Sequence, residues 1–391
     1  MKKILIILLL LTAQSFAGSF YNIEFNLNSV NTDNLFNDST NAKDFYSSIR
    51  STANIYPIKN SELNVFAEYT NYGKNPNLSN ITYGSGLTFL PLSDSSNFSL
   101  LLTGSFQKYS YKEALTTNST EFVKQDISAL AGFGYDVSKS IHLRTGVSWK
   151  STGYASDDVP DKKLTEIFSG LNFTIFGSNS IDIESGYTYE KYNYLPEFKP
   201  LMFIVGTDTI YTDPMIYAIN TDEDAYGNQK DADLNAFYFS TRFSRPLGKK
   251  TGLSLIYYYR DFNDIKDSTL VLGYSTGYLS PWVSSYDGFS IQGKIKTYLI
   301  PKTITTFGYG YWDKNHLRVV ERHDGIVSTV NTQDRADSMR KLFLTIQFPI
   351  VLPSGRFVEP VLNVEFTNNN STVDVYNYDD FTVSTGLTFR L

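Results

Sequence analysis

The chain has 391 residues, 41% of them hydrophobic and 15% aromatic, with a formal net charge of −6 and no cysteine. The mild acidity argues against nucleic acid as a partner. The absence of cysteine excludes a disulfide framework and any thiolate metal site. No glycine-rich phosphate loop is present, so no cofactor is implied.

The chain begins with a basic pair, Lys2-Lys3, followed by an unbroken apolar run from Ile4 to Leu11 and by Ser15-Phe16-Ala17, which offers small residues for cleavage. This is the pattern of a secretory signal peptide over 1–17, too short to span a membrane. No cysteine follows it to accept a lipid. The remainder, 18–391, reads as one domain, with no later apolar run long enough for a spanning helix. An exported, aromatic-rich chain without cysteine or spanning helices fits a membrane barrel or a large secreted β-protein.

From Phe20 onward, short runs alternate apolar and polar residues, the period of a strand with one apolar face. Tyr21, Ile23, Phe25 and Leu27 alternate with Asn22, Glu24, Asn26 and Asn28; the next runs cover 45–56 and 62–70, where Phe66 breaks the polar face. Further strands are expected at 81–92, 98–111, 122–137, 141–154, 163–176, 180–195, 232–246, 251–262, 284–300, 302–313, 337–351, 355–368 and 380–391. That makes about sixteen, within a range of roughly 14–18. The stretch Leu270 to Tyr278 is a further candidate strand.

The connections alternate in length. Short turns at 57–61, 93–97, 138–140, 177–179, 246–250, 301 and 353–355 are interleaved with longer polar loops at 29–44, 73–80, 112–121, 155–162, 196–231, 263–283, 314–336 and 369–379. Aromatics on the apolar face gather near the long-loop end, among them Tyr69, Trp149, Tyr187, Tyr189, Tyr257 and Tyr309, and near the short-turn end, among them Phe89, Phe98, Phe243 and Phe348. Two belts with aliphatic residues between them suit the two interfaces of a membrane. A closed barrel of about sixteen strands encloses a lumen too wide for one apolar face to fill, so the apolar face is expected to point outward to lipid.

The last strand adds a resemblance. Phe381, Val383, Leu387, Phe389 and Leu391 share one face, and Ser384-x-Gly386-x-x-Phe389-x-Leu391 ends the chain. This resembles the C-terminal assembly signal of bacterial outer-membrane β-barrels. The resemblance implies an all-β, antiparallel, up-and-down transmembrane barrel with short periplasmic turns and long extracellular loops. It also implies recognition of the last strand by the outer-membrane insertion machinery, and pairing of that strand with the first.

With the polar face inside, strands ten to fourteen contribute Arg242, Arg260, Lys294, Lys296 and Lys341 to the lumen, while strands fifteen, one and three contribute Glu359, Glu365, Glu24, Glu62 and Glu68. Arg50 and Arg390 interrupt the acidic arc, and strands six to nine are mixed. Opposed arcs of this kind resemble general diffusion porins, where they orient polar solutes and tune ion selectivity. The plainer reading is that most of these charges pair across strands.

The 196–231 loop is the longest, and is open to three uses: folding into the lumen, covering the mouth, or adding a hairpin. Its Asn220, Asp222, Asp224 and Asp231 have a spacing near that of a calcium loop, but Ala225 replaces the turn glycine and the last ligand is not Glu. No metal site is therefore assigned. His316 and His323, with Asp313, Asp324 and Asp334 nearby, are the candidate for a rim hydrolase, but no catalytic motif surrounds them. The expected function is a porin-like, non-enzymatic channel for small polar solutes or ions. A scaffold for adhesion, assembly or secretion is the alternative, and that hydrolase a second one. The apolar exterior leaves monomer and homo-oligomer equally open.

Overall fold

The computed structural model describes residues 21–35, 42–91, 97–112, 121–154, 161–175, 178–192, 198–200, 202–205, 208–211, 217–219, 232–262, 269–273, 286–298, 302–316, 318–323, 326–329, 336–353, 356–372 and 374–391. The expected leader lies outside them.

The first nine strands of the large sheet are β1 (Tyr21–Thr32), β2 (Asp44–Ile55), β3 (Ser61–Tyr72), β4 (Asn80–Phe89), β5 (Phe98–Lys112), β6 (Glu121–Ser138), β7 (Ile141–Tyr154), β8 (Lys162–Ile175) and β9 (Asn179–Tyr192). The rest are β10 (Ala232–Pro246), β11 (Thr251–Phe262), β12 (Tyr286–Thr297), β13 (Ile304–His316), β14 (Ala336–Gln347), β15 (Phe357–Ser371) and β16 (Tyr378–Arg390). Ile350–Val351 continues β14 and pairs with the start of β15. The interruption falls at Pro349, which has no N–H for the ladder; the Phe348 N–H still donates to the Pro360 carbonyl at 3.0 Å. Among the described residues the sheet thus has 16 strands, as expected.

Every neighbour pair is antiparallel and consecutive in sequence, and β1 pairs with β16 as well as with β2, so the sheet closes with no free edge. The closing register sets Glu24 opposite Arg390, Phe25 opposite Phe389 and Leu27 opposite Leu387. The first strand runs past the expected Asn28 to Thr32, because β16 continues to pair with it there.

Burial assigns the faces. On β2 the buried residues Asp44, Ser48 and Thr52 share one face, and the exposed Phe45 and Ile49 share the other. Ile49 is 56% exposed and Ile167 57%, whereas Glu190 on the opposite face of the wall is 2% exposed. In a closed barrel the shielded face is the inside, so the apolar face looks out. Exposed aromatics Tyr69, Tyr83, Trp149, Tyr187, Tyr189, Tyr259 and Tyr309 lie toward the long loops, and Phe98, Phe133, Phe307 and Phe348 toward the short turns. Rings of each belt meet across strands, Phe98 with Tyr135 at 4.7 Å and Phe289 with Tyr311 at 6.0 Å. An apolar surface of this extent is stable only in lipid, which makes this a membrane-spanning barrel.

The long loops hold strands of their own. In 196–231, Phe198–Pro200 pairs with Tyr217–Ile219 and Met202–Val205 with Asp208–Tyr211. The candidate stretch after Leu270 does contain a strand, Thr269–Gly273, but it pairs in parallel with Arg318–His323, outside the barrel. Arg318–His323 pairs in turn with Ile326–Thr329, against which Tyr217–Ile219 lies. Three successive long loops are therefore joined on one side of the molecule.

Candidate functional site

The lumen wall is a large polar surface among the described residues, and it is built from residues two apart on each strand. Its first feature concerns aromatics on the polar face. Phe66 lies directly opposite Gly84, Phe168 opposite Gly146, Tyr238 opposite Gly186 and Phe343 opposite Gly308. In each pair the ring occupies the space a side chain on the glycine would need: a Cβ on Gly146 would come within 2.6 Å of Phe168, and one on Gly84 within 2.9 Å of Phe66. Glycine thus lets a large side chain lie along the wall rather than project into the lumen.

The second feature is charge pairing. On β7–β10, Arg144 donates to Asp182 at 2.7 and 2.9 Å and to Glu184 at 2.8 and 3.1 Å, while the Tyr238 hydroxyl donates to Glu166 and, at 3.4 Å, to Glu184. Nearer the outer mouth, Glu190 holds Lys162 at 2.7 Å and Arg260 at 2.8 Å. Arg260 stands on β11 and Glu190 on β9, so the guanidinium must cross β10. It does so near Ala236, whose small side chain is fully covered. Asp126 lies between Lys124 at 3.4 Å and Lys150 at 3.3 Å.

The third feature is a small core inside the mouth. Leu35 and Leu78, from the loops after β1 and β3, pack on Tyr72 together with Tyr46, Tyr109 and Tyr154, all on the inner face. The Tyr46 and Tyr72 rings stack at 4.9 Å. Asp44, 1% exposed, fastens the second loop: its Oδ1 accepts from the Phe45 N–H at 2.6 Å and the Lys74 N–H at 2.9 Å, and its Oδ2 from the Asn75 N–H at 3.1 Å and Nδ2 at 2.8 Å. Asp380 fastens the first, accepting from Thr32 Oγ1 at 2.7 Å and the Asn34 N–H at 3.1 Å.

No family model matches the chain, and no curated protein matches it in sequence. Among solved structures it resembles CdiB from Acinetobacter baumannii, with a TM-score of 0.51 at 9% identity, over 94% of this chain and 60% of that one. The chain thus spans about 60% of the length of CdiB. Weaker likenesses, with TM-scores of 0.47 and 0.45, are to Acinetobacter baumannii OccAB3 at 9% identity (95% of this chain, 99% of that one) and to Pseudomonas aeruginosa OpdK with vanillate at 10% identity (95% and 98%). The fold is that of a bacterial outer-membrane barrel.

In this outer-membrane barrel the expected charged residues are divided by their partners. Arg260 is buried against Glu190; Lys341 pairs with Glu365, Glu24 with Arg390 at 2.7 Å, and Glu68 with Arg50 at 3.7 Å. Glu359 accepts a bond from Gln347 at 3.3 Å. Arg242, Lys294, Lys296 and Glu62 make no ion pair among the described residues. Gly386 and Ser384 of the closing strand face inward, opposite Asn28 and Val30, and Phe389 faces lipid opposite Phe25. His316 ends β13 and His323 belongs to a strand outside the barrel wall, so the two sit on different elements. Asn220, Asp222, Asp224, Asp231, Asp324 and Asp334 lie outside the described residues.

Of the three uses open to the 196–231 loop, its described residues show added strand pairing. The loops shown turned into the mouth are the shorter ones after β1 and β3. The signal was present in tyrosines on the polar face near the outer ends of β2, β3, β5 and β7, matched by Leu35 and Leu78 in the loops after β1 and β3.

Proposed function

We propose that this outer-membrane barrel is a channel for passive diffusion of small polar solutes and ions. Sixteen strands at the usual spacing and tilt enclose a space about 30 Å across between backbones. The aromatics seated over glycines keep side-chain bulk near the wall. The observation that carries the reading is where charge remains uncompensated. Lys294 and Lys296 on β12 make no ion pair among the described residues and lie near the short-turn end beside Ser254 and Gly252 of β11, whereas Arg242 on β10 faces Asp182 of β9 in register. Half the barrel away, at the same end, β3 carries Glu62. Opposed unpaired charges across a water-filled lumen set a transverse field for passing ions.

The proposal includes a role for the last strand, with Ser384, Gly386, Phe389 and Leu391 as the signal read by the insertion machinery. It does not invoke an enzymatic step. The test is the reversal potential of the purified protein in a planar bilayer under a salt gradient. Changing Lys294 and Lys296 together to Glu shifts it toward cation selectivity. An unmoved reversal potential would mean that this wall does not border the conducting path.

A further inference from the structure

The short-turn end of the barrel is unbalanced in charge. Five of its seven turns carry a cation: Lys59 after β2, Lys139 after β6, Lys249 and Lys250 after β10, Lys302 after β12 and Arg356 after β14. The seven turns together hold one acid, Asp94 after β4, in a turn without a cation. All six cations are exposed. Lys139, Lys249, Lys250, Lys302 and Arg356 make no ion pair among the described residues. Asp136, three residues before Lys139, is held by His142 at 2.7 Å. The same turns expose apolar side chains beside their cations. Ile58, 61% exposed, precedes Lys59, and the exposed Leu247 lies two residues before Lys249. The Leu352 N–H donates to the Arg356 carbonyl at 2.8 Å, which brings Arg356 to the end of the segment holding the exposed Ile350. These apolar groups continue the outward belt of Phe98 and Phe348 at this end. A rim that only steers ions through water has no use for them, whereas a rim resting in a headgroup layer buries them at the edge of the hydrocarbon.

We propose that the short-turn rim, centred on Lys139, Lys249, Lys250, Lys302 and Arg356, is a docking surface for the phosphate groups of anionic phospholipid in the periplasmic leaflet. The argument is charge complementarity at the right depth. Long cationic side chains beside exposed apolar ones lay their methylenes along the hydrocarbon edge and extend their charged ends to headgroup level. The cations are spread over separate turns, so the rim gathers several lipids around the barrel rather than one. The inference does not depend on what passes through the lumen.

The test uses the whole protein reconstituted in vesicles of phosphatidylglycerol and phosphatidylcholine in equal parts with matched acyl chains, and compares the two lipids retained in native mass spectrometry. Phosphatidylglycerol is expected to be retained in preference, and the preference to shrink when reconstitution is done in about 1 M salt. Lys249→Gln together with Lys250→Gln weakens the preference about fivefold or more. Arg340→Gln, an outward cation on β14 toward the long loops, leaves it unchanged. Equal retention of the two lipids would overturn the proposal and leave the rim to an acidic periplasmic protein. Displacement of the lipid by an equal concentration of glycerol 3-phosphate would overturn it too, because the ligand would then come from solution. So would a full preference in the variant carrying Lys139→Gln, Lys249→Gln, Lys250→Gln, Lys302→Gln and Arg356→Gln; if that variant does not fold, the lipid preference of the unaltered chain and its response to salt still decide.

Discussion

At the scale of single residues, the wall is held by charges that cannot be removed one at a time. Glu190 is the shared partner of two cations in a site shielded from water. Replacing it with Gln removes the carboxylate that Lys162 and Arg260 share, a loss expected to cost about 3–5 kcal/mol. Urea unfolding of the detergent-folded protein measures this, and a change under about 1 kcal/mol would show that water reaches the site. The glycine–aromatic pairs make a second residue-scale prediction. A methyl group on Gly186 would lie 2.5–2.7 Å from the Tyr238 ring and hydroxyl. Gly186→Ala is therefore expected to destabilise the barrel by about 1–3 kcal/mol through overpacking. In a double-mutant cycle with Tyr238→Leu, the combined loss should fall short of the sum of the single losses. Additive losses would show that the ring does not occupy that space.

At the scale of elements, strands were far more legible than loops. Alternation in β1, β2 and β16 follows from one apolar face, which any reading of period two finds. The alternating turn and loop lengths carry the up-and-down order. Barrel closure gave the end strands their partner, and the register between Glu24 and Arg390 became visible only in the structure. Loops obey no period. The strand Thr269–Gly273 is apolar enough to mimic a barrel strand, and its partner lies in another loop, which sequence spacing cannot reveal. Ion pairs were hidden for a related reason: Arg260 reaches past one strand to Glu190, a contact between strands that are not neighbours. The inward loops can be probed directly. Asp44→Ala removes the acceptor of three backbone N–H groups, and amide exchange at Lys74 and Asn75 should speed up about tenfold or more. Unchanged exchange would mean that the tyrosine core alone holds that loop.

At the scale of the whole molecule, an apolar exterior encloses a polar wall whose mouth is narrowed by two anchored loops. Each part has a physical cause: lipid requires the first, the width of the closed sheet permits the second, and Leu35, Leu78, Asp44 and Asp380 fix the third. In the proposed channel, Lys294 and Lys296, which make no ion pair among the described residues, would give the lumen a polarity that small ions sense. The most direct test is single-channel recording of the purified protein in a planar bilayer. Stepwise insertion events, each with a steady current that is linear in voltage near zero, are predicted. Insertion of folded barrels that pass no current would contradict the account.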